Sequence, residues 1–110
     1  LKLIDNGSSY MVVFTSSKEL LKRRTTVVNG AVVSYATHPT FGFMVEYISF
    51  PKNVFKDLNA IHEWCINELK AEKHLIEDKV WNTRMRAKFL AVLNILSIQS
   101  LNTSNNESLK

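Results

Sequence analysis

Apolar and polar residues alternate along the first half of the chain and recur at helical spacing along the second, and the change falls at Pro51. Val, Tyr, Phe, Thr and Ile dominate between Tyr10 and Phe50, and such residues suit a pleated, half-buried surface. After Pro51 there is neither Gly nor Pro, and Leu, Lys, Glu, Ala and Asn prevail. Strands gathered ahead of helices predict an α+β fold rather than alternating βαβ units. The expected architecture is an antiparallel β-meander of four to five strands, containing two hairpins, followed by one long or two C-terminal helices packed on the sheet. A single domain is expected over residues 1–101, β-rich over 1–50 and helical over 52–101, with 102–110 a polar flexible tail.

Asp5-Asn6-Gly7 separates Leu1–Ile4 from Tyr10–Phe14 and predicts a first hairpin. Asn29-Gly30, between Thr25–Val28 and Ala31–Ala36, supplies the positive φ angles of a type I′ turn and predicts a second. Pro39 ends that strand and Phe41–Phe50 forms the next. Strict alternation there puts Phe41, Phe43, Val45, Tyr47 and Ser49 on one face, and Gly42, Met44, Glu46, Ile48 and Phe50 on the other. Both faces are largely apolar, which predicts a central strand. Between the hairpins, Ser16 and Glu19 have the spacing of a capping box, so Ser16–Arg24 reads as a two-turn helix ending in cations.

From Lys52, a stripe of Val54, Leu58, Ile61, Cys65, Leu69, Ile76 and Val80 predicts a helix. A second stripe, Trp81, Met85, Phe89, Val92 and Leu96, is displaced from the first by about one residue, or about 100°. A break near residues 78–83 explains the displacement, and one long helix touching two partners is the alternative. Leu90, Leu93, Ile95 and Ile98 lie off the second stripe, and a helix apolar nearly all round must be covered on several sides.

The 110 residues allow one ordinary domain, and a 45% hydrophobic share excludes general disorder. The lone cysteine, Cys65, excludes an internal disulfide framework and points to a reducing, intracellular compartment, cytoplasmic or nuclear. The apolar run Phe89–Ile98 is too short to cross a bilayer, which needs about 20 apolar residues. The first residue is Leu rather than Met, so the chain is expected to be part of a larger protein. The formal charge of +4 is unevenly spread. Lys18, Lys22, Arg23 and Arg24 surround a single Glu19, and Lys79, Arg84, Arg86 and Lys88 lie in a stretch without acids.

Chemistry-bearing motifs are sparse. His62 and Cys65 stand three apart on a predicted helix, with His74 beyond, but a structural zinc site wants four ligands in paired spacing. Cys65 also lies on the apolar stripe, which favours a buried thiol over a nucleophile. His38 precedes Pro39 and is expected in a turn. Scattered glycines build no phosphate loop. Thr40-Phe41-Gly42-Phe43-Met44-Val45-Glu46-Tyr47 resembles the aromatic strand of RNA-recognition-motif domains at Phe41-Gly42-Phe43. It departs from that pattern at Pro39, Thr40 and Glu46, and the strand and helix order differs. Ala60-Ile61-His62-Glu63-Trp64-Cys65-Ile66 resembles the Trp-bearing last helix of pleckstrin-homology-like domains, with too few residues ahead of it for that family's seven strands.

The sequence therefore predicts a non-catalytic protein–protein interaction or assembly domain, with no cofactor and no metal. A protein partner or a second copy is expected on the C-terminal helical region, at Trp81, Met85, Phe89, Val92, Leu93 and Leu96. The alternative is a phosphate-binding module for nucleic acid or acidic lipid, acting through the clusters 18–24 and 79–88. Its candidate residues are Lys22, Arg23, Arg24, Arg84, Arg86 and Lys88.

Overall fold

The computed structural model describes residues 1–71 and 79–108, and of residues 79–82 and 99–108 the backbone alone. Five strands precede two helices: β1 (Lys2–Asp5), β2 (Ser9–Val13), β3 (Leu21–Val28), β4 (Ala31–His38), β5 (Gly42–Pro51), α1 (Leu58–Lys70) and α2 (Lys79–Ser108). The strands form one antiparallel sheet in the order β1-β2-β5-β4-β3. Thus β3, β4 and β5 run as a meander, and the β1–β2 hairpin joins the other side of β5. The strand with two apolar faces is the central one, as its pattern predicts.

Both hairpins close where their turn residues demand. In the first, Asp5 Oδ1 accepts the Gly7 amide and Asn6 Oδ1 accepts the Ser9 amide, each at 2.9 Å. In the second, Asn29 (φ 46°) and Gly30 (φ 92°) occupy the left-handed region, as a type I′ turn requires.

Residues 16–24 do not form the expected helix. Leu21–Val28 is β3, paired with β4 from Leu21↔Thr37 to Val28↔Ala31. The hydroxyls on either side of Ser16 close tight local turns instead. Thr15 Oγ1 accepts the Ser17 amide at 3.3 Å, and Ser17 Oγ accepts the Glu19 amide at 3.2 Å. A two-turn helix has an unfavourable nucleus and few hydrogen bonds to offset it. Pairing along β4 satisfies the same backbone and buries Leu20 beside it.

A bulge reverses the expected parity of β5. Ser34 pairs with Tyr47 but Tyr35 pairs with Val45, so Glu46 is an extra residue. Val45 before the bulge and Ile48 and Phe50 after it are all buried in the same cluster, while Tyr47 and Ser49 turn to the opposite face. Strict alternation had grouped Val45 with Tyr47 and Ser49. Glu46 uses its position to accept the Phe14 amide on its carbonyl at 2.9 Å and to meet Arg23 Nε with its carboxylate at 3.4 Å.

The first helix starts later and stops earlier than its stripe predicts. Val54 and Phe55 both donate to the Pro51 carbonyl in a turn, and Asp57 then caps α1 by accepting the Ala60 amide at 2.9 Å. At the other end Ala71 is extended (ψ 119°) and donates its amide to Asn67 O. One helix through residues 52–101 is therefore not formed, but the interruption falls at Ala71, ahead of the break expected near residues 78–83, and residues 79–83 already belong to α2. Residues 72–78, with His74 and the Glu77–Asp78 pair, lie outside the described residues. The backbone of α2 stays helical to Ser108, past the expected limit at 101.

Both helices pack on one face of the sheet. Ring contacts join the layers: Trp64 of α1 meets Phe50 of β5 at 5.2 Å and Phe89 of α2 at 5.1 Å, both edge to face. Val12, Val33, Val45 and Ile48 floor this core, and Ile61, Cys65, Met85, Val92 and Leu96 roof it.

Candidate functional site: the helix-free sheet face and a basic cleft

Antiparallel register places directly opposed residues on one face. The row Leu3–Val12–Ile48–Val33–Thr26 faces the helices, with Val12, Ile48 and Val33 fully buried. The adjacent row, Ile4–Met11–Ser49–Val32–Val27, must face away from them. The next row on that side is Lys2–Val13–Tyr47–Ser34–Thr25. Such a solvent-facing side ordinarily alternates to polar residues. Here Ile4, Met11, Val13, Val27, Val32 and Tyr47 make it apolar across all five strands, and Ile4 and Val27 are 41% and 67% exposed. Lys2 is the only ionisable cation on these two rows and stands at a corner.

One end of that face carries its own small buried cluster. Ser34, Ala36 and His38 of β4 are buried outside the main core. His38 Nδ1 accepts the amides of Thr40 and Phe41 at 3.0 and 3.2 Å, and its Nε2 meets the Glu19 carboxylate at 3.0 Å. The histidine thus closes the β4–β5 turn, as its place before Pro39 predicts, and ties that turn to the β2–β3 connection.

On the helix side, α2 and the start of β5 enclose a cleft of about 370 Å³ lined by Phe41, Phe43, Val45, Arg84, Ala87 and Lys88. Arg84 donates to the carbonyl oxygens of Phe41, at 3.3 Å, and Phe43. The Lys88 ammonium lies 5.3 Å from the centre of the Phe14 ring.

The expected interface residues of α2 turn inward. Met85, Phe89, Val92 and Leu96 are buried in the chain's own core, and Leu93 is half-buried against it. The side chain of Trp81 lies outside the described residues. The large apolar side chains that α2 leaves exposed are Leu90 and Ile98, among the described residues. The six expected anion-binding residues divide between elements. Lys22, Arg23 and Arg24 lie on the outer strand β3, where Arg23 also donates to the carbonyls of Leu20 and Ser17 at 3.2 Å. Arg84 and Lys88 meet at the cleft, and Arg86 is exposed on α2.

His62 is exposed and Cys65 is fully buried, so the helix does not bring them to one site. Burial pushes the Cys65 thiol up to about 12, and the charge of Glu68 adds to the effect. No cluster of metal-ligating side chains occurs among the described residues. Phe43 packs on the helix side, so the resemblance to an exposed base-stacking strand does not extend to its position. No helix among the described residues is long and apolar enough to cross a membrane.

Sequence reasoning missed the helix-free face. The signal was present in Met11-Val12-Val13, Val27-Val28 and Val32-Val33, since consecutive apolar residues on a strand must put one side chain on each face. Compared with protein-family models, curated proteins and solved structures, the chain has no match.

Proposed function

We propose that this chain is a non-catalytic protein-interaction and assembly domain, and that it pairs with a second copy of itself through the helix-free face of its sheet. The observation that carries this reading is the apolar character of that face from β1 to β3. A contiguous exposed apolar patch marks an interaction surface more often than a solvated one. Self-pairing suits its charge, because the centre of the patch holds Met11, Val13, Tyr47, Ser49 and Val32 and no ionisable group but the tyrosine hydroxyl. Two identical faces would stack as a sandwich with sheets about 10 Å apart. The C-terminal helix contributes less than its sequence promised, because its apolar stripe is already used in the core.

Light scattering across a concentration series tests the proposal. Self-association is expected in the high micromolar range, and Met11→Glu combined with Val32→Glu should abolish it while leaving far-UV circular dichroism unchanged. A strict monomer throughout, or a dimer that survives both substitutions in a folded variant, would overturn it.

Phosphate binding is the second reading, favoured by the exposure of Lys22, Arg24 and Arg86. It predicts retention on RNA or acidic vesicles that falls steeply with salt. Binding that persists unchanged after charge reversal at Lys22 and Arg24 would argue against it.

A further inference from the structure

We propose that the cleft between β5 and α2 binds a small amphipathic anion, with a carboxylate or phosphate held by Arg84 and Lys88 and a flat apolar body resting on Phe41 and the edge of Phe43. The size fits: about 370 Å³ lies within the range of ligand pockets. The charge fits as well. Arg84 and Lys88 stand one helical turn apart, a spacing that lets one anion meet both side chains. Neither is neutralised within the cleft, because no carboxylate lines it among the described residues. The Arg84 contacts to Phe41 and Phe43 go to carbonyl oxygens, which orient the guanidinium without cancelling its charge. Both bonds use Nη1, and among the described residues Nε and Nη2 make none, which leaves them for a ligand. Lys88 is steadied over the Phe14 ring, whose π face likewise leaves the full positive charge in place.

The apolar side of the cleft sets the rest of the ligand. Phe41 is 65% exposed although it is aromatic and lies at the rim, and Phe43 and Val45 continue the wall inward. A free inorganic ion would leave the exposed Phe41 ring wet, and a neutral aromatic would leave two cations without an anion. A molecule with both parts satisfies both. This site lies on the helix side of the sheet, so it is independent of the pairing face proposed above.

Nuclear magnetic resonance titration of the whole chain tests the inference with three probes: 2-naphthoate, the neutral 2-naphthamide, and inorganic phosphate. The expected result is saturable shifts at the amides of Phe41, Phe43, Val45 and Ala87 with 2-naphthoate. Both other probes should bind about tenfold or more weakly, as the loss of a charge-assisted hydrogen bond implies. Lys88→Gln should weaken naphthoate binding several-fold without disturbing the fold. Because Arg84 also holds the β4–β5 turn, Lys88 is the residue to vary. Equal affinity for naphthoate and naphthamide, shifts confined to Met11, Val32 and Tyr47, or no saturable shift at millimolar probe would each overturn the proposal.

Discussion

Trp64 donates its indole N–H to the backbone carbonyl of Val28 at 3.0 Å, in a buried position. This bond fixes α1 over the end of β3, just before the Asn29-Gly30 turn. The ring also touches Phe50, Phe55 and Phe89, so one side chain joins every layer of the fold. Trp64→Phe keeps much of the apolar contact but removes the donor. Leaving a buried carbonyl unpaired costs about 1–3 kcal/mol. Urea unfolding should show a lower midpoint with an unchanged slope, and a midpoint equal to the wild type would contradict the role given to the bond.

Asn29 combines a left-handed backbone with a side-chain bond from Nδ2 to the buried Glu68 carboxylate. Asn29→Asp keeps a residue that tolerates the turn but sets two carboxylates together. The variant is expected to be less stable at neutral pH by about 1–3 kcal/mol. Thermal melts of the two proteins at neutral pH check the size, and equal stability would contradict the role given to the Asn29–Glu68 bond.

Cys65 gives a pH-dependent expectation. Its thiol is held up at about 12 in the fold, against 9.0 ordinarily. Below the ordinary value both folded and unfolded chains keep the proton, and stability is unaffected. Between the two values the unfolded chain loses it first, so this group lowers stability as pH rises through that window. Cys65→Ala should flatten that part of the stability curve. Iodoacetamide at pH 8 should label the native thiol only at the rate of transient opening, and rapid labelling of folded protein would show the thiol to be accessible.

Phe89 and Leu90 are neighbours with opposite environments. Phe89 is 1% exposed and Leu90 57%. Phe89→Ala should cost about 3–5 kcal/mol, as buried aromatic truncations do. Leu90→Ala should stay within about 0.5 kcal/mol. Chemical unfolding of the two variants distinguishes a core residue from one on a solvated face, and equal losses would place α2 in a different rotation.

Local chemistry made much of this fold legible. Asn29-Gly30 and Asp5-Asn6-Gly7 are instructions confined to a few residues, and both hairpins formed there. The stripe Met85–Phe89–Val92–Leu96 likewise marked the buried side of α2. What the sequence concealed depends on distant partners. The Ser16–Glu19 spacing fits a helix cap equally well until β4 offers a ladder to Leu21–Val28. Nothing within Phe41–Phe50 indicates that Glu46 will be skipped in pairing; that follows from Ser34 and Arg23, which bind its carboxylate from β4 and β3. One skipped residue exchanges the two faces of everything beyond it, so the inner and outer sets could not be sorted by alternation. For the candidate sites, the cations Arg84 and Lys88 were visible, but their meeting with Phe41 and Phe43 arises only from the docking of α2 on β5.

The strand order also governs the sequence of events during folding. The two hairpins share no ladder with each other; each is joined to the sheet through β5, the strand nearest the C-terminus. A nascent chain that has emerged only as far as Thr40 therefore holds two separate ribbons, and an isolated two-stranded ribbon is marginal in water. Pairing of β2 with β5 brings Tyr10 against Phe50, a long loop to close, and long-range closures slow folding. Cooperative structure should thus appear late in synthesis, in a single step, once β5 has something to insert between.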